Sequence, residues 1–406
     1  MNINKRFLAD WFLFAAASFG KTYQLQGLAI AFLLGRLVNE AKIENNTPAA
    51  LLKSLFSPEV MWPNWLSLLA VLVILLAPAT NKFLTKIIRR RNYADVFQEV
   101  LRSYRSINTS HLNGLAWGDA LSIQTCPDFF KGWAVSEVEI QHASARFSMP
   151  RKLDDAYKDY FKKHYDARGF KHDGVKIYLT ENPRTFSDSP SLVLKTKEAL
   201  YSQVQFYKDN IARLTSERQV MVDLAVDGQI NFPHSLCMHA IVITSDDKAL
   251  FTQRSLKVED YPGSWSCSIE EQMQVADLTA PGKTVIEALA ERMLDEELGV
   301  TPTEFNASNI RVMSVFIETD ILNISLCTHI RLDISEAELR SRLRLFPRKD
   351  YEFTLDRYLS HEDLLKELFE PAYRHHPSTS YRILFALVKH YGNPLTLEKA
   401  LTKRTA

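Results

Sequence analysis

The sequence predicts a two-part chain: an N-terminal two-helix transmembrane hairpin, then a cytosolic α/β (α+β) domain with a mixed sheet between helices. Three observations predict it. A charge-free apolar run is followed by a block of basic residues, the remainder alternates strand-period with helix-period patterns, and 406 residues exceed one ordinary domain. The expected boundaries are 1–91 for the hairpin, 92–235 for a coupling helix and α+β extension, 236–392 for a second cytosolic domain and 393–406 for a tail.

The stronger crossing is the second, at about 62–84. From Asn64 to Ala79 the chain reads NWLSLLAVLVILLAPA, sixteen residues without a charge, and flanking apolar residues bring it near the ~20 that a spanning helix needs. Lys82, Lys86, Arg89, Arg90 and Arg91 follow with no acid among them, a bias that marks the cytoplasmic side. The first crossing, at about 10–36, is rougher. Lys5 and Arg6 precede it, so both termini are expected in the cytoplasm. A cleaved signal peptide is the competing reading, because AAAS follows a short apolar core. Asp10, Lys21 and Gln24 fall along one helical stripe, which suits either a polar lining in an oligomer or an interfacial segment with a snorkelling lysine.

Charge and cysteines exclude some classes. Forty-nine basic against forty-eight acidic residues leave a net charge of +1, so no global field attracts polymeric nucleic acid. The four cysteines make no CxxC or Cys/His spacing, which speaks against a zinc site and for reduced thiols.

Beyond Arg91, NYADVFQEVLRSYR has the apolar spacing of a helix with one buried face, the expected coupling helix. SEVEIQHASARFSM and GVKIYLT read as strands, RKLDDAYKDYFKKHYDA and LVLKTKEALYSQVQFYKDNIARL as helices, and 181–191 as loop. Tyr157, Tyr160, Phe161 and Tyr165 form an aromatic stripe at helical spacing, read as packing rather than as a base-stacking surface.

From Leu236 the order is two strands around a Ser245–Lys248 turn, then PGSW, then an acidic helix ending ERMLDEELGV. This order resembles the Nudix hydrolases, whose signature is G-x5-E-x7-R-E-U-x-E-E-x-G-U with U aliphatic. Arg292, Leu294, Glu296, Glu297, Gly299 and Val300 stand on matching positions. Three positions depart: Met293 replaces a glutamate, Thr284 the early glutamate and Leu278 the glycine. In the family, glutamates at i, i+3 and i+4 hold hard cations against a diphosphate, and a thioether is no substitute for a carboxylate on magnesium. Glu287, Glu291 and Asp295 recur every four residues and are read as a solvated face. The resemblance implies a Nudix-like domain over 236–392 whose cleft is bordered by Arg254, Trp265 and Arg292, the ligand-contacting candidates. Glu296 and Glu297 are metal ligands only if the box is active, with magnesium as cofactor in that case. His234, His239 and the doublet His375 and His376 are read as packing or as a weak metal signal.

Two crossings joined to such a domain resemble the two-transmembrane Nudix effectors of bacterial CBASS anti-phage systems, the CD-NTase-associated proteins. That resemblance implies an inner-membrane homo-oligomer, a cyclic nucleotide messenger made by a cognate cyclase, and disruption of the membrane on binding. The alternative is a membrane-anchored Nudix pyrophosphohydrolase acting on a nucleoside diphosphate derivative.

Overall fold

A computed structural model describes residues 116–400, interrupted by short stretches of which 167–172, 186–190 and 346–352 are the longest. The expected crossings, Asp10, Lys21 and Gln24, and the expected coupling helix lie outside the described residues. Among the described residues, no helix is long and apolar enough to cross a membrane.

In chain order the elements are β1 (Ala116–Trp117), β2 (Ala120–Thr125), β3 (Trp133–Ala134), β4 (Val138–Arg146), α1 (Arg151–Phe161), β5 (Val175–Leu179), β6 (Arg184–Thr185), β7 (Leu192–Leu200), α2 (Tyr201–Tyr207) and α3 (Thr215–Val226). There follow β8 (Cys237–Ile243), β9 (Ala249–Arg254), β10 (Trp265–Ser266), β11 (Ile269–Gln272), α4 (Val275–Leu278), α5 (Val285–Leu298), β12 (Phe305–Glu318), β13 (Asn323–Leu332), α6 (Glu336–Leu345), β14 (Phe353–Leu359), α7 (His361–Phe369) and α8 (Thr379–Tyr391). The main sheet runs β1-β2-β12-β13-β8-β9-β10, with β3 on β12, β11 on β8 and β14 on β9. It is mixed, because β13 pairs β8 in parallel while β12 pairs β13 antiparallel. A smaller sheet joins β4, β7, β5 and β6.

β8 shows why the sheet lies between helices. All seven of its residues, CMHAIVI, are buried, the pattern of a strand covered on both faces. Met238, Ala240 and Val242 belong to the core that holds Leu289, Met293 and Leu294 of α5. Ile241 and Ile243, of opposite parity, belong to the core that holds Tyr381, Leu384 and Val388 of α8. His239 shares that second parity, which turns its ring to the α8 face of the sheet.

Local chemistry sets the ends of α5. Thr284 is the N-cap: its side chain accepts the Glu287 N–H at 3.3 Å, so the residue standing at the signature's early glutamate starts the helix. Gly299 ends it at φ 68°, its N–H bonded to the Asp295 carbonyl at 3.0 Å and that of Val300 to Leu294 at 3.1 Å. Gly299→Ala forces a Cβ into the left-handed region and is expected to cost about 1–2 kcal/mol in denaturant unfolding.

Two elements differ from expectation, the first being the short strand β6, which pairs β7 inside the stretch read as loop. In the second, residues 192–200 form β7 rather than the first turns of a helix. Leu192, Leu194 and Thr196 alternate inward at no more than 1% exposure, and pairing with β4 and β5 supplies the long-range contacts that override the helix-forming Lys, Glu and Ala. The aromatic stripe packs as expected: Tyr157 and Tyr160 meet Phe206 edge-on, and their hydroxyls bond Ser202 and Asp209, each at 2.7 Å. His234 accepts the Leu179 N–H at 3.1 Å, a packing role. On the outer face of α5, Glu291 pairs with Lys283 and Asp295 is exposed.

Candidate functional site

A cavity of about 580 Å³ opens where β8, β11 and the end of β12 meet the loop before α8. Its charged and titratable walls include Lys176, His239, Arg254, Glu270, Glu318 and His376. Gln272, Gln274 and Asn323 add amides.

Glu270 is the electrostatic centre. Arg254 donates to one carboxylate oxygen at 2.5 Å. Arg382, on α8 and fully buried, donates to the other at 2.5 Å, and Ser266 does so at 2.9 Å. Burial opposes ionisation of Glu270, but the Arg254 and Arg382 guanidiniums outweigh it and hold the carboxyl well below the usual range. Glu318, 1% exposed, goes the other way: burial and the charge of Glu270 raise it well above that range. The site thus keeps one carboxylate anionic and a second neutral. Both imidazoles are neutral as well, since burial drives His239 down to about 3 and His376 well below its ordinary value.

The elements fix these groups in place. His239 Nδ1 and His376 Nδ1 both meet the Ser378 hydroxyl, at 3.1 and 3.0 Å, and both lie 3.6–3.7 Å from Glu270. Trp265 builds the loop that carries His376. It is 6% exposed, stacks on Phe251 with centroids 5.6 Å apart, and its carbonyl accepts the His376 N–H at 2.8 Å. Tyr261, whose hydroxyl bonds Asp320, sets its ring edge-on to His376.

The expected site residues therefore divide. Arg254 lines the cavity. Trp265 stands behind its wall as a packing residue. Arg292 is a clamp: it donates to Asp277 at 2.9 Å and to the Gln272 carbonyl at 2.7 Å, and pairs with Glu271 at 3.2 Å and Glu296 at 3.1 Å. His239, Glu318, His376 and Arg382 form most of the centre, and sequence spacing did not single them out as a site. Their one local signal is Glu318, a carboxylate closing the apolar run MSVFI.

Two metal arrangements can be weighed. The signature's magnesium site does not fit these residues. Met293 is fully buried in the core under the sheet, Glu296 is exposed and paired with Arg292, and only Glu297, 7% exposed, lies near Arg254 and Glu270 in a small adjoining cleft. His239, Glu318 and His376 bring one donor atom each within 4.8 Å of one another. Arg254 and Arg382, however, already place two fixed positive charges on Glu270 beside both imidazoles. A dication there would be repelled at low dielectric. The cluster is better suited to hydrogen bonding than to cation binding.

No protein-family model and no curated protein matches this chain. Among solved structures, the chain is similar to DR0079 from Deinococcus radiodurans at 15% identity, covering 37% of this chain and 81% of that one with a TM-score of 0.26. It is similar to the MutT protein of Methanosarcina mazei Go1 at 16% identity, covering 39% and 94%, with a TM-score of 0.25.

Proposed function

We propose that this is a Nudix-like domain that recognises a nucleotide without hydrolysing it, in a chain whose N-terminal crossings assemble in the membrane when the ligand binds. The observation that carries the reading is Met293. The position that would offer a metal-binding carboxylate is built into the hydrophobic core, while a cavity of suitable size lies among β8, β11 and the end of β12. The cavity's chemistry supports a nucleotide. An anionic Glu270, a neutral Glu318 acid, two neutral imidazoles and three amides offer donors and acceptors to base and sugar edges, and the Lys176 amine offers a charge-assisted contact to phosphate. A messenger is the fitting ligand class, because a binding site that spares its ligand holds a signal. Assembly then requires tighter binding to the assembled state than to the resting one.

Calorimetry of the full chain in detergent with cyclic di- and trinucleotides tests this. Saturable binding is expected with no product by mass spectrometry, and Lys176→Ala is expected to weaken it about tenfold. Dye-filled liposomes carrying the chain should leak on addition of the same nucleotide. Absence of binding to any member of the panel, in folded protein, counts against the reading. Hydrolysis draws support from Glu297 and Glu270 lining one small cleft. It predicts magnesium-dependent turnover abolished by Glu297→Gln, a substitution expected here to leave binding and leakage intact.

A further inference from the structure

A second cavity, of about 480 Å³, shares no lining residue with the first. It is formed by β12, β13, the turn after β8, the start of α7 and the end of α8. Arg311, Arg331 and Lys389 bring three fixed cations to it, with His329, His361 and His390 among them. Among the described residues Asp247 is the one carboxylate on its wall, and it is already engaged by Arg331 at 2.5 Å. Among the described residues no carboxylate lies within ion-pair distance of Arg311 or Lys389. Arg311 donates to the Ile310 carbonyl at 2.8 Å, and Lys389 to the carbonyls of Phe130 and Lys131 at 3.4 and 3.0 Å. His329, 8% exposed, lines the same cavity, and among the described residues its Nδ1 has no hydrogen-bond partner.

Such an arrangement is unfavourable by itself. Like charges converge in a concave, partly desolvated space, where their repulsion is stronger than on an open surface. The titration of the lining groups reflects it. Burial and the neighbouring Lys389, His361, Arg331 and Arg311 push His329 down to about 3. Burial and Arg311 lower the Lys389 amine. Burial and His390 push His361 down to about 4. A compact oxoanion supplies the missing negative charge and several acceptors at once. Phosphate suits guanidinium and ammonium donors better than a carboxylate does, because it offers more acceptor oxygens and more charge.

We propose that this cavity binds a phosphate group, presented either by a free phosphate anion or by the headgroup of an anionic phospholipid. The site is independent of nucleotide recognition in the first cavity.

The probe is inorganic phosphate, titrated by calorimetry into the full chain in detergent and phosphate-free buffer. One saturable site is expected, weakened on the order of tenfold or more by Arg311→Gln and by Lys389→Gln and unchanged by Lys176→Ala. Thermal unfolding separates this from misfolding. Without phosphate the two variants should be at least as stable as the parent, because each relieves repulsion, and phosphate should raise the parent's midpoint more than theirs. Repeating the titration in nanodiscs distinguishes the sources. Equal affinity in neutral and anionic lipid assigns the site to free phosphate, and suppression in anionic lipid assigns it to a headgroup. The proposal is overturned if phosphate does not bind, if both variants bind it like the parent, or if Lys176→Ala is what removes it.

Discussion

Met293→Glu, which restores the carboxylate of the Nudix signature, is expected to destabilise the fold by about 4 kcal/mol at pH 7 and to yield no hydrolase. The side chain is fully buried among Leu289, Leu294 and the inward residues of β8. A glutamate there lacks an evident cationic partner, and buried glutamates of this kind titrate near 8 or above, against roughly 4.3 in the unfolded chain. Between those values the unfolded state releases the proton and the folded state retains it. The penalty therefore grows with pH from about 4 upward and levels off near the folded value. Denaturant unfolding of parent and variant at pH 5 and pH 8 measures it, and the gap should widen at the higher pH. A variant as stable as the parent that turns over nucleoside diphosphates with magnesium would show the position to be open to metal. The recognition reading would then fail.

Thr284 stood out in the sequence only as a departure from the signature, and its capping role came with the structure, whereas the other end of α5 was legible because Gly299 is readable from residue type as a helix stop. The β8–β9 hairpin was legible for the same reason. β7 was not, because Lys195, Lys197, Glu198 and Ala199 carry helix propensity and only pairing with β4 and β5 makes the segment a strand. The site was less legible than the fold. His239 and Glu318 stand 79 positions apart in sequence, and the β12–β13 hairpin, whose β13 lies parallel against β8, brings them together. No spacing motif encodes such a meeting. Arg292 and Trp265 were visible, yet their visible features belong to structure: Arg292 secures α5 to the Gln272 carbonyl and Asp277, and Trp265 anchors the loop bearing His376.

Arg382→Met is expected to cost about 3 kcal/mol, at the lower end of what breaking a buried ion pair does. Two effects compete. The variant escapes the desolvation of a guanidinium that is fully buried and whose Nε and Nη1 have no hydrogen-bond partner among the described residues. Against this, Glu270 loses the cation on its Oε1 and keeps only Arg254 on Oε2 and the Ser266 hydroxyl. The second effect wins because Glu318 stands 1% exposed in the same cluster, where burial and the charge of Glu270 raise it, so the cluster has no second cation-independent place for a buried charge. With Arg382 gone, Glu270 is drawn toward protonation and the distinction between the two acids fades. A depressed carboxyl contributes stability above its unfolded value, about 4.3, that is lost as pH falls. The difference between parent and variant should therefore be largest at neutral pH and shrink as pH falls below about 4.3, through the depressed folded value of Glu270. Adding Glu270→Gln to the variant should cost less than it does in the parent, with a coupling of about 1–3 kcal/mol in the double-mutant cycle. Additive effects would mean that Arg382 acts through packing alone, and its role as the cation that holds Glu270 ionised would fall with them.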